Sequence, residues 1–335
     1  MLKSASKVTI NTGNVLNLID IKKKAGQNVT EELSESIKLT LTEWGSQNGL
    51  PKHAQNGVDT QDGDEPQTSR QQSDYKVVST SKAPEQAVVN ITRPHDDVLN
   101  KMAEEERKNL KIGVKIFINE DSTSLLTECL ENVFAALHTE YIDNVILSYN
   151  PDILHREDAD DTNLKNNYST KASPISLGSN IGRFSSTETD ADSDADARKC
   201  EAILPGIIVL WSVLEDYVKQ GRVRLLGVAD IGSGCLRRLH ASSSVRPAIA
   251  QINLAVCCVV PPALHRFCRA HDVQLLTHAD PPDLLSTAAV KTLSDAGIGC
   301  NNLDWCARYQ VHIKCRGVLA LKGYVCKGTL AEKAN

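Results

Sequence analysis

Two polar residues lie inside or at the end of apolar runs that predict buried strands, and they are the first places where the chain could do chemistry. Lys115 lies within IGVKIFI (112–118), and Ser148 ends the apolar part of IDNVILSYNP (142–151). A strand end that faces a loop is where α/β enzymes place their catalytic groups. Ser148, however, offers only a hydroxyl with no paired base. Lys115 has a plain structural alternative, which is to reach solvent or to pair with an acidic residue.

The ten cysteines are a second group of reactive side chains. They stand at irregular spacings without a C-x-x-C pair, so the sequence predicts neither a zinc site nor a thioredoxin-type motif. Cys257 and Cys258, in the apolar stretch AVCCVV, are typical of buried inert thiols. The alternative is that they lie on a rim where a partner protein forms a mixed disulfide, which makes them candidate partner-binding residues.

Composition restricts the classes of function. The chain has 335 residues, of which 41% are hydrophobic, so it can bury a large core. Its formal charge of -5 and the lack of clustered Lys and Arg argue against a nucleic-acid partner. The longest apolar run, 202–214, is too short to span a bilayer, and the N-terminal stretch lacks the apolar segment of a signal peptide. We therefore expect a cytosolic protein with free thiols and no membrane contact.

Strand and helix patterns alternate along the chain, about eight times in all, which favours a (β/α)8 barrel. The apolar stripe Leu33, Ile37, Leu41 and Trp44 predicts the first helix, and Ser122 or Thr123 can cap a later one. No G-x-G-x-x-G follows the first strand, which counts against an open dinucleotide-binding sheet. The predicted strands are 8–10, 76–78, 112–118, 145–147, 223–228, 248–254, 273–278 and 311–318, with a helix-like region at 294–310.

Two polar stretches interrupt this pattern. Residues 51–74 are almost free of aliphatic side chains, and residues 155–199 are rich in Ser, Thr, Asp and Asn. Neither stretch can bury enough apolar surface to offset its chain entropy. We predict two disordered insertions on a single body that spans residues 1–335. A phosphorylatable segment is the sharper alternative to a plain mobile loop.

Several motifs resemble the aldo-keto reductase superfamily. WSVLEDYVKQGRVRLLGVADI (211–231) and PAIAQINL (247–254) resemble its cofactor-side strands, and IDNVILSYNP resembles the strand that ends in its catalytic histidine. The resemblance implies an Asp, Tyr, Lys and His catalytic set, of which Lys115 matches the lysine. Ser148 stands in place of the histidine, and STSKAPEQ (79–86) contains neither the aspartate nor the tyrosine. Carbonyl reduction by the usual mechanism is therefore expected to be absent.

Within that superfamily, a further set of stretches resembles the regulatory (modifier) subunits of glutamate–cysteine ligase. The resemblance implies a non-catalytic protein that binds the catalytic subunit as a heterodimer, raises glutamate affinity and relieves feedback by glutathione. Glutathione biosynthesis is the process it would regulate. The stretches are NTGNVLN (11–17), TEELSESIKLTLTEWGSQ (30–47), QINLAVCCVVPPAL (251–264), VQLLTHADPPDLLS (273–286) and RYQVHIKCRGVLALKGY (308–324).

The cofactor groove of the superfamily is matched only in part. Gln251 resembles the glutamine that binds the nicotinamide amide, and Lys314 and Arg316 resemble the basic group for the 2′-phosphate of NADPH. Ala229-Asp230 stand where Ser-Asn is usual, and His278 stands in place of the stacking tyrosine. Each of these residues also has a plain structural use. We expect no required cofactor and no metal, and an NADPH-dependent oxidoreductase or an NADPH-sensing module is the alternative function.

The segment 308–326 is the candidate surface for the partner. Arg308 and Lys322 are its candidate partner-binding residues, because cations interleave there with apolar residues. A solvated basic edge is the structural alternative.

Overall fold

A single mixed sheet organises the part of the chain that the structure describes. The computed structural model describes residues 6–18, 29–48, 88–151, 194–253, 260–281, 284–285, 287–295 and 298–330. Within these residues nine strands are hydrogen-bonded in the order β2-β1-β9-β8-β3-β4-β5-β6-β7. The strands are β1 (Lys7–Asn11), β2 (Val88–Thr92), β3 (Leu110–Ile118), β4 (Ile142–Tyr149), β5 (Val223–Ala229), β6 (Ile249–Asn253), β7 (Gln274–His278), β8 (Cys300–Ile313) and β9 (Val318–Leu330).

Helices connect and cover these strands. None of the described helices combines the length and apolarity needed to cross a membrane. Short 3-10 helices precede β3 and follow β1. The α-helices are α1 (Val29–Asn48), α2 (Val98–Ala103), α3 (Thr123–Leu137), α4 (Asp194–Lys219), α5 (Ser233–Ser242), α6 (Pro262–Ala270) and α7 (Thr287–Asp295).

Strands β3 to β7 form the parallel half of the sheet, and a helix follows each of β3, β4, β5 and β6. The predicted alternation of strand and helix is therefore confirmed across this half. Its local signals act as expected: the Ser122 side chain caps α3 by accepting from the backbone N–H of Leu125, and α6 begins with proline. The carboxyl ends of these parallel strands meet at one edge of the sheet.

The strands β8 and β9 depart from the eight parallel strands of the predicted barrel. They form a long hairpin that is antiparallel to β3 on one side and to β1 on the other. Residues 314–317 connect them, and so short a turn joins antiparallel neighbours only. The prediction of a helix-like region at 294–310 is wrong, because β8 occupies most of it. Asn301, Asn302 and Asp304 interrupt the strand pattern in the first half of β8, whereas apolar residues alternate with other residues from Trp305 to Ile313.

The two faces of the sheet pack against different helices. Ile112, Val114, Ile116 and Ile118 of β3 belong to a large core that helices α3 to α6 complete. Phe117 faces the opposite way, into a second core that contains the apolar stripe of α1. The side chains of a strand alternate between faces, so Lys115 shares the face of Phe117. Lys115 is therefore held on the sheet face that lies away from the main helix layer.

The polar stretches fall mostly outside the described residues. This applies to 51–74 and to the predicted strand 76–78. The other predicted insertion, 155–199, is corrected at its end, because α4 already begins at Asp194 and Cys200 on it is buried. Residues 194–199 extend a helix that reaches the core further on, and that packing overrides their polar composition.

Gly323 on β9 marks a close approach between β9 and the loop after β1. A Cβ at Gly323 would lie against the carbonyl oxygen of Gly13 and the hydroxyl of Tyr309. We expect Gly323→Ala to lower the free energy of unfolding by about 3 kcal/mol, since backbone must move to relieve the overlap. The control is Gly232→Ala, whose Cβ would meet only ordinary contacts with Asp196. Denaturant unfolding measures both, and equal losses would contradict the prediction.

Candidate functional site

The strand ends that could form a reductase-type site lie together at one edge of the sheet. Ser148 lies near the end of β4, Asp230 directly follows β5, and His278 ends β7. Gln251 pairs with Ala229 on one side and with Leu276 on the other. The parallel register thus brings the predicted residues Ser148 and Gln251 to the same edge, on neighbouring parts of the sheet.

Lys115 and Arg308 place two cations directly opposite each other on β3 and β8. Like charges in a cross-strand pair destabilise a sheet, and both side chains are buried. Asp280, which follows β7, compensates them. Its Oδ2 accepts from Nζ of Lys115 at 2.7 Å, and Arg308 donates to both of its carboxylate oxygens. One carboxylate therefore makes this cation pair tolerable inside the protein.

His278 extends the cluster to the end of β5. Its Nε2 lies 2.9 Å from Oδ1 of Asp230, and its Nδ1 lies 3.2 Å from Oδ2 of Asp280. Asp230 has a positive φ of 60°, and its backbone N–H donates to the carbonyl of Gln251. Asn253 donates to the carbonyl of Asp280 at 2.7 Å. We call Lys115, Arg308, Asp280, His278 and Asp230 the Asp280 cluster.

Burial and pairing act in opposite directions on these groups. Burial alone raises the pKa of Asp280, but hydrogen bonds from His278 and Arg308 and the charges of Arg308 and Lys115 lower it well below its ordinary value. Burial lowers the pKa of Lys115 more than Asp280 raises it. Burial also lowers the pKa of His278, but the hydrogen bonds to Asp230 and Asp280 outweigh it and raise the pKa overall. Asp280 is therefore the fixed anion of the cluster.

The cluster holds its polar groups against one another rather than toward a reacting molecule. Lys115 matches the position of a reductase lysine, but its ammonium donates to Asp280. Ser148 lies on the face of Phe117, opposite that residue in the register, and no described side chain supplies it with a base. General acid–base catalysis needs a donor within hydrogen-bond reach of the substrate, and here the ammonium of Lys115 is engaged with Asp280 instead.

The stretch STSKAPEQ, which was compared with the aspartate and tyrosine of the reductases, does not follow the strand that pairs with β1. The strand beside β1 is β2, at 88–92, whereas STSKAPEQ lies outside the described residues. Asp96 and Asp97 follow β2, so acidic residues are present after this strand. Both have structural roles. Asp96 accepts from the backbone N–H of Asn14 at 2.8 Å, and Asp97 accepts from the Asn14 side chain at 2.9 Å. No tyrosine lies between β2 and β3.

The three predicted cofactor residues do not form one site. Gln251 lies near the carboxyl-end edge of the sheet, while Lys314 and Arg316 lie in the turn between β8 and β9, beside the start of β3. Arg308, which contacts Asp280 at the carboxyl-end edge, lies six residues before Lys314. Along an extended strand this is a distance of about 20 Å, so Lys314 lies far from that edge. Lys314 donates to the carbonyl of Lys108, and Arg316 pairs with Glu105. The described residues therefore do not fit NADPH in the predicted way.

The predicted partner-binding residues also fall into different places. Arg308 belongs to the buried Asp280 cluster. Lys322 pairs with Glu32 of α1 at 2.6 Å and is largely buried. Neither side chain is placed to form the predicted basic surface, because each compensates a carboxylate inside the fold. Cys257 and Cys258 lie outside the described residues.

Sequence reasoning missed Asp280, which is the centre of the cluster. It stands in THADPPD, two residues after His278. An acidic residue just beyond a strand end was the available signal. Its partners Lys115 and Arg308 lie 165 and 28 residues away in sequence, so the contact itself has no local signature.

The comparison with protein families agrees with this fold. The profile of the aldo/keto reductase family matches residues 95–280, more than half of the chain. The chain belongs to the aldo/keto reductase family, and the predicted class of fold is confirmed.

Individual relatives align over almost the whole length. The glutamate–cysteine ligase regulatory subunits of Mus musculus and Homo sapiens are each 27% identical to this chain over 331 residues, covering 97% of it and 93% of theirs. A solved Bombyx mori aldo-keto reductase in complex with NADP is 16% identical with a TM-score of 0.34. That match covers 54% of this chain and 46% of the solved one, so it spans less than half of the solved structure.

The Asp280 cluster predicts a large stability effect. We expect Asp280→Asn to lower the free energy of unfolding by roughly 3–5 kcal/mol, because it leaves Lys115 and Arg308 buried without their counter-charge. Asp216→Asn is the matched control, since Asp216 makes an exposed pair with Lys219 and should change stability by less than about 1 kcal/mol. Urea unfolding decides between them. A loss at Asp280 no larger than the control would mean that the cluster is not a stabilising contact.

His278 predicts a pH dependence. Its folded-state pKa lies above its ordinary value of about 6.5, so the stability it adds is full below that value and is lost as pH rises through the folded-state pKa. The difference in unfolding free energy between the unmodified chain and His278→Gln should therefore be larger at about pH 5.5 than at about pH 9. His265→Gln, on the exposed side of α6, is the control. A difference that does not change with pH would contradict this assignment.

Proposed function

We propose that this chain is a non-catalytic regulatory subunit of glutamate–cysteine ligase. In this proposal it binds the catalytic subunit as a heterodimer, raises that subunit's affinity for glutamate and relieves its inhibition by glutathione. The observation that carries the proposal is the 97% coverage of the chain by relatives named as regulatory subunits.

The geometry of the reductase-type edge supports a role without chemistry. The matching lysine is neutralised by Asp280, and a serine stands where the family places a histidine. A binding role requires only a stable surface. A buried, mutually compensated cluster is compatible with that requirement, whereas a reductase needs a proton donor presented to its substrate.

The proposed regulation has a thermodynamic consequence. A subunit that raises glutamate affinity must bind the glutamate-competent state of its partner more tightly than the other state. By linkage, glutamate must then tighten the heterodimer by the same factor. The proposal therefore covers two measurable couplings, one in kinetics and one in binding.

The initial rate of γ-glutamylcysteine formation by the separately purified catalytic subunit tests the proposal. Adding the chain should lower the glutamate concentration for half-maximal rate and raise the glutathione concentration for half-inhibition, with both effects saturating at a one-to-one ratio. The dissociation constant of the heterodimer should fall when glutamate is present.

Two controls make this test decisive. Heat-unfolded chain should have no effect on either curve. The chain alone, incubated with NADPH and a panel of aldehydes, should not consume NADPH. Unchanged glutamate and glutathione curves with folded protein would overturn the proposal, and aldehyde-dependent NADPH consumption would favour an oxidoreductase instead.

A further inference from the structure

A second charged cluster lies at the opposite edge of the sheet, where the parallel strands begin. Asp143 on β4 lies between three cations from three different segments. Arg107, which precedes β3, lies 2.9 Å from its Oδ2, while Arg224 on β5 and Lys314 in the β8–β9 turn lie 3.3 Å and 3.9 Å from its Oδ1. We call Arg107, Arg224 and Lys314 the basic edge.

The three cations of the basic edge share one carboxylate. Among the described residues, Asp143 is the only carboxylate that pairs with any of these three cations. One of its oxygens also accepts from the backbone N–H of Ile112 at 2.9 Å. Arg224 and Lys314 keep 54% and 39% of their side-chain surface exposed. Two positive charges are thus presented to solvent by side chains that are held in place.

An aromatic ring fixes the orientation of the two arginines. The guanidinium carbons of Arg107 and Arg224 lie 3.7 Å and 4.2 Å from the centre of the Tyr141 ring. Arg107 is tied further by donating to the carbonyls of Leu110 and Tyr141. Arginine and tyrosine are enriched at the centres of protein interfaces, and side chains held before binding lose little entropy on binding. Val318, which is exposed beside the turn, adds apolar surface.

We propose that the basic edge docks an acidic segment of the partner protein. This inference rests on the proposed function, so the partner is the catalytic subunit of the ligase. A protein segment fits better than a small anion, because the centre of the cluster is occupied by Asp143, which would repel an anion that approached closely. An extended acidic segment can contact the outer sides of Arg224 and Lys314 without facing that carboxylate.

The double variant Arg224→Gln/Lys314→Gln tests this surface in the full chain. It leaves Arg107 and the N–H of Ile112 to hold Asp143, so the fold should persist, as circular dichroism and thermal unfolding can verify. Arg266→Gln/Arg269→Gln, two exposed residues of α6, is the control with the same change in net charge. The readout is the dissociation constant for the purified catalytic subunit, by calorimetry at low and high NaCl.

We expect the double variant to weaken binding about tenfold and to make it less sensitive to salt, and the control to bind like the unmodified chain. Lys314→Gln alone, at an exposed turn, should give a smaller change in the same direction. Equal binding by the unmodified chain and the double variant would overturn the surface and leave the proposed function standing. No binding by the unmodified chain would overturn both. If the chain self-associates and only the double variant is monomeric in sedimentation, the edge is a self-interface and the inference fails.

Discussion

The carboxylate of Asp280 is the contact on which the interior of this protein depends. The register of β3 against β8 places Lys115 opposite Arg308, and both side chains are largely removed from water. The antiparallel hairpin is therefore compatible with the parallel half only if an anion is supplied from a third segment. Asp280 supplies it from the end of β7, and so couples one outer strand of the described sheet to its centre.

The stretches that resemble the regulatory subunits gain a common explanation from these contacts. Thr12 and Tyr324 exchange hydrogen bonds that join the loop after β1 to β9, and Glu32 of α1 pairs with Lys322 and accepts from Tyr324. The stretches 11–17, 30–47 and 308–324 therefore meet in space, and 273–286 joins them through Asp280 and Arg308. Their combination specifies how the β8–β9 hairpin is fastened into the sheet, which a local motif could not show.

The sequence was informative where a residue's surroundings are local. The apolar stripe of α1, the cap at Ser122 and the strands β3, β5 and β7 follow from periodicity and turn residues, and they were predicted. The β8 strand was predicted only at its end, within 311–318, and that predicted strand runs across the 314–317 turn. The first half of β8 lacks a strand pattern because polar residues interrupt it, whereas apolar residues alternate from Trp305 to Ile313. The Asp280 cluster was missed for a different reason: its members are brought together by strand register, and register is set by the whole sheet.

The two edges of the sheet have opposite electrostatic characters, and this difference follows from how each one is built. At the carboxyl-end edge, two aspartates and a histidine face two cations at close range, so these groups pair with one another inside the fold. At the other edge a single aspartate faces three cations, and stacking on Tyr141 keeps two of them oriented. In barrel enzymes the carboxyl-end edge carries the catalytic residues. Here the charged groups of that edge pair with one another, while Arg224 and Lys314 stay partly exposed at the edge where the strands begin. A surface of that kind can take part in binding without using the residues of the carboxyl-end edge.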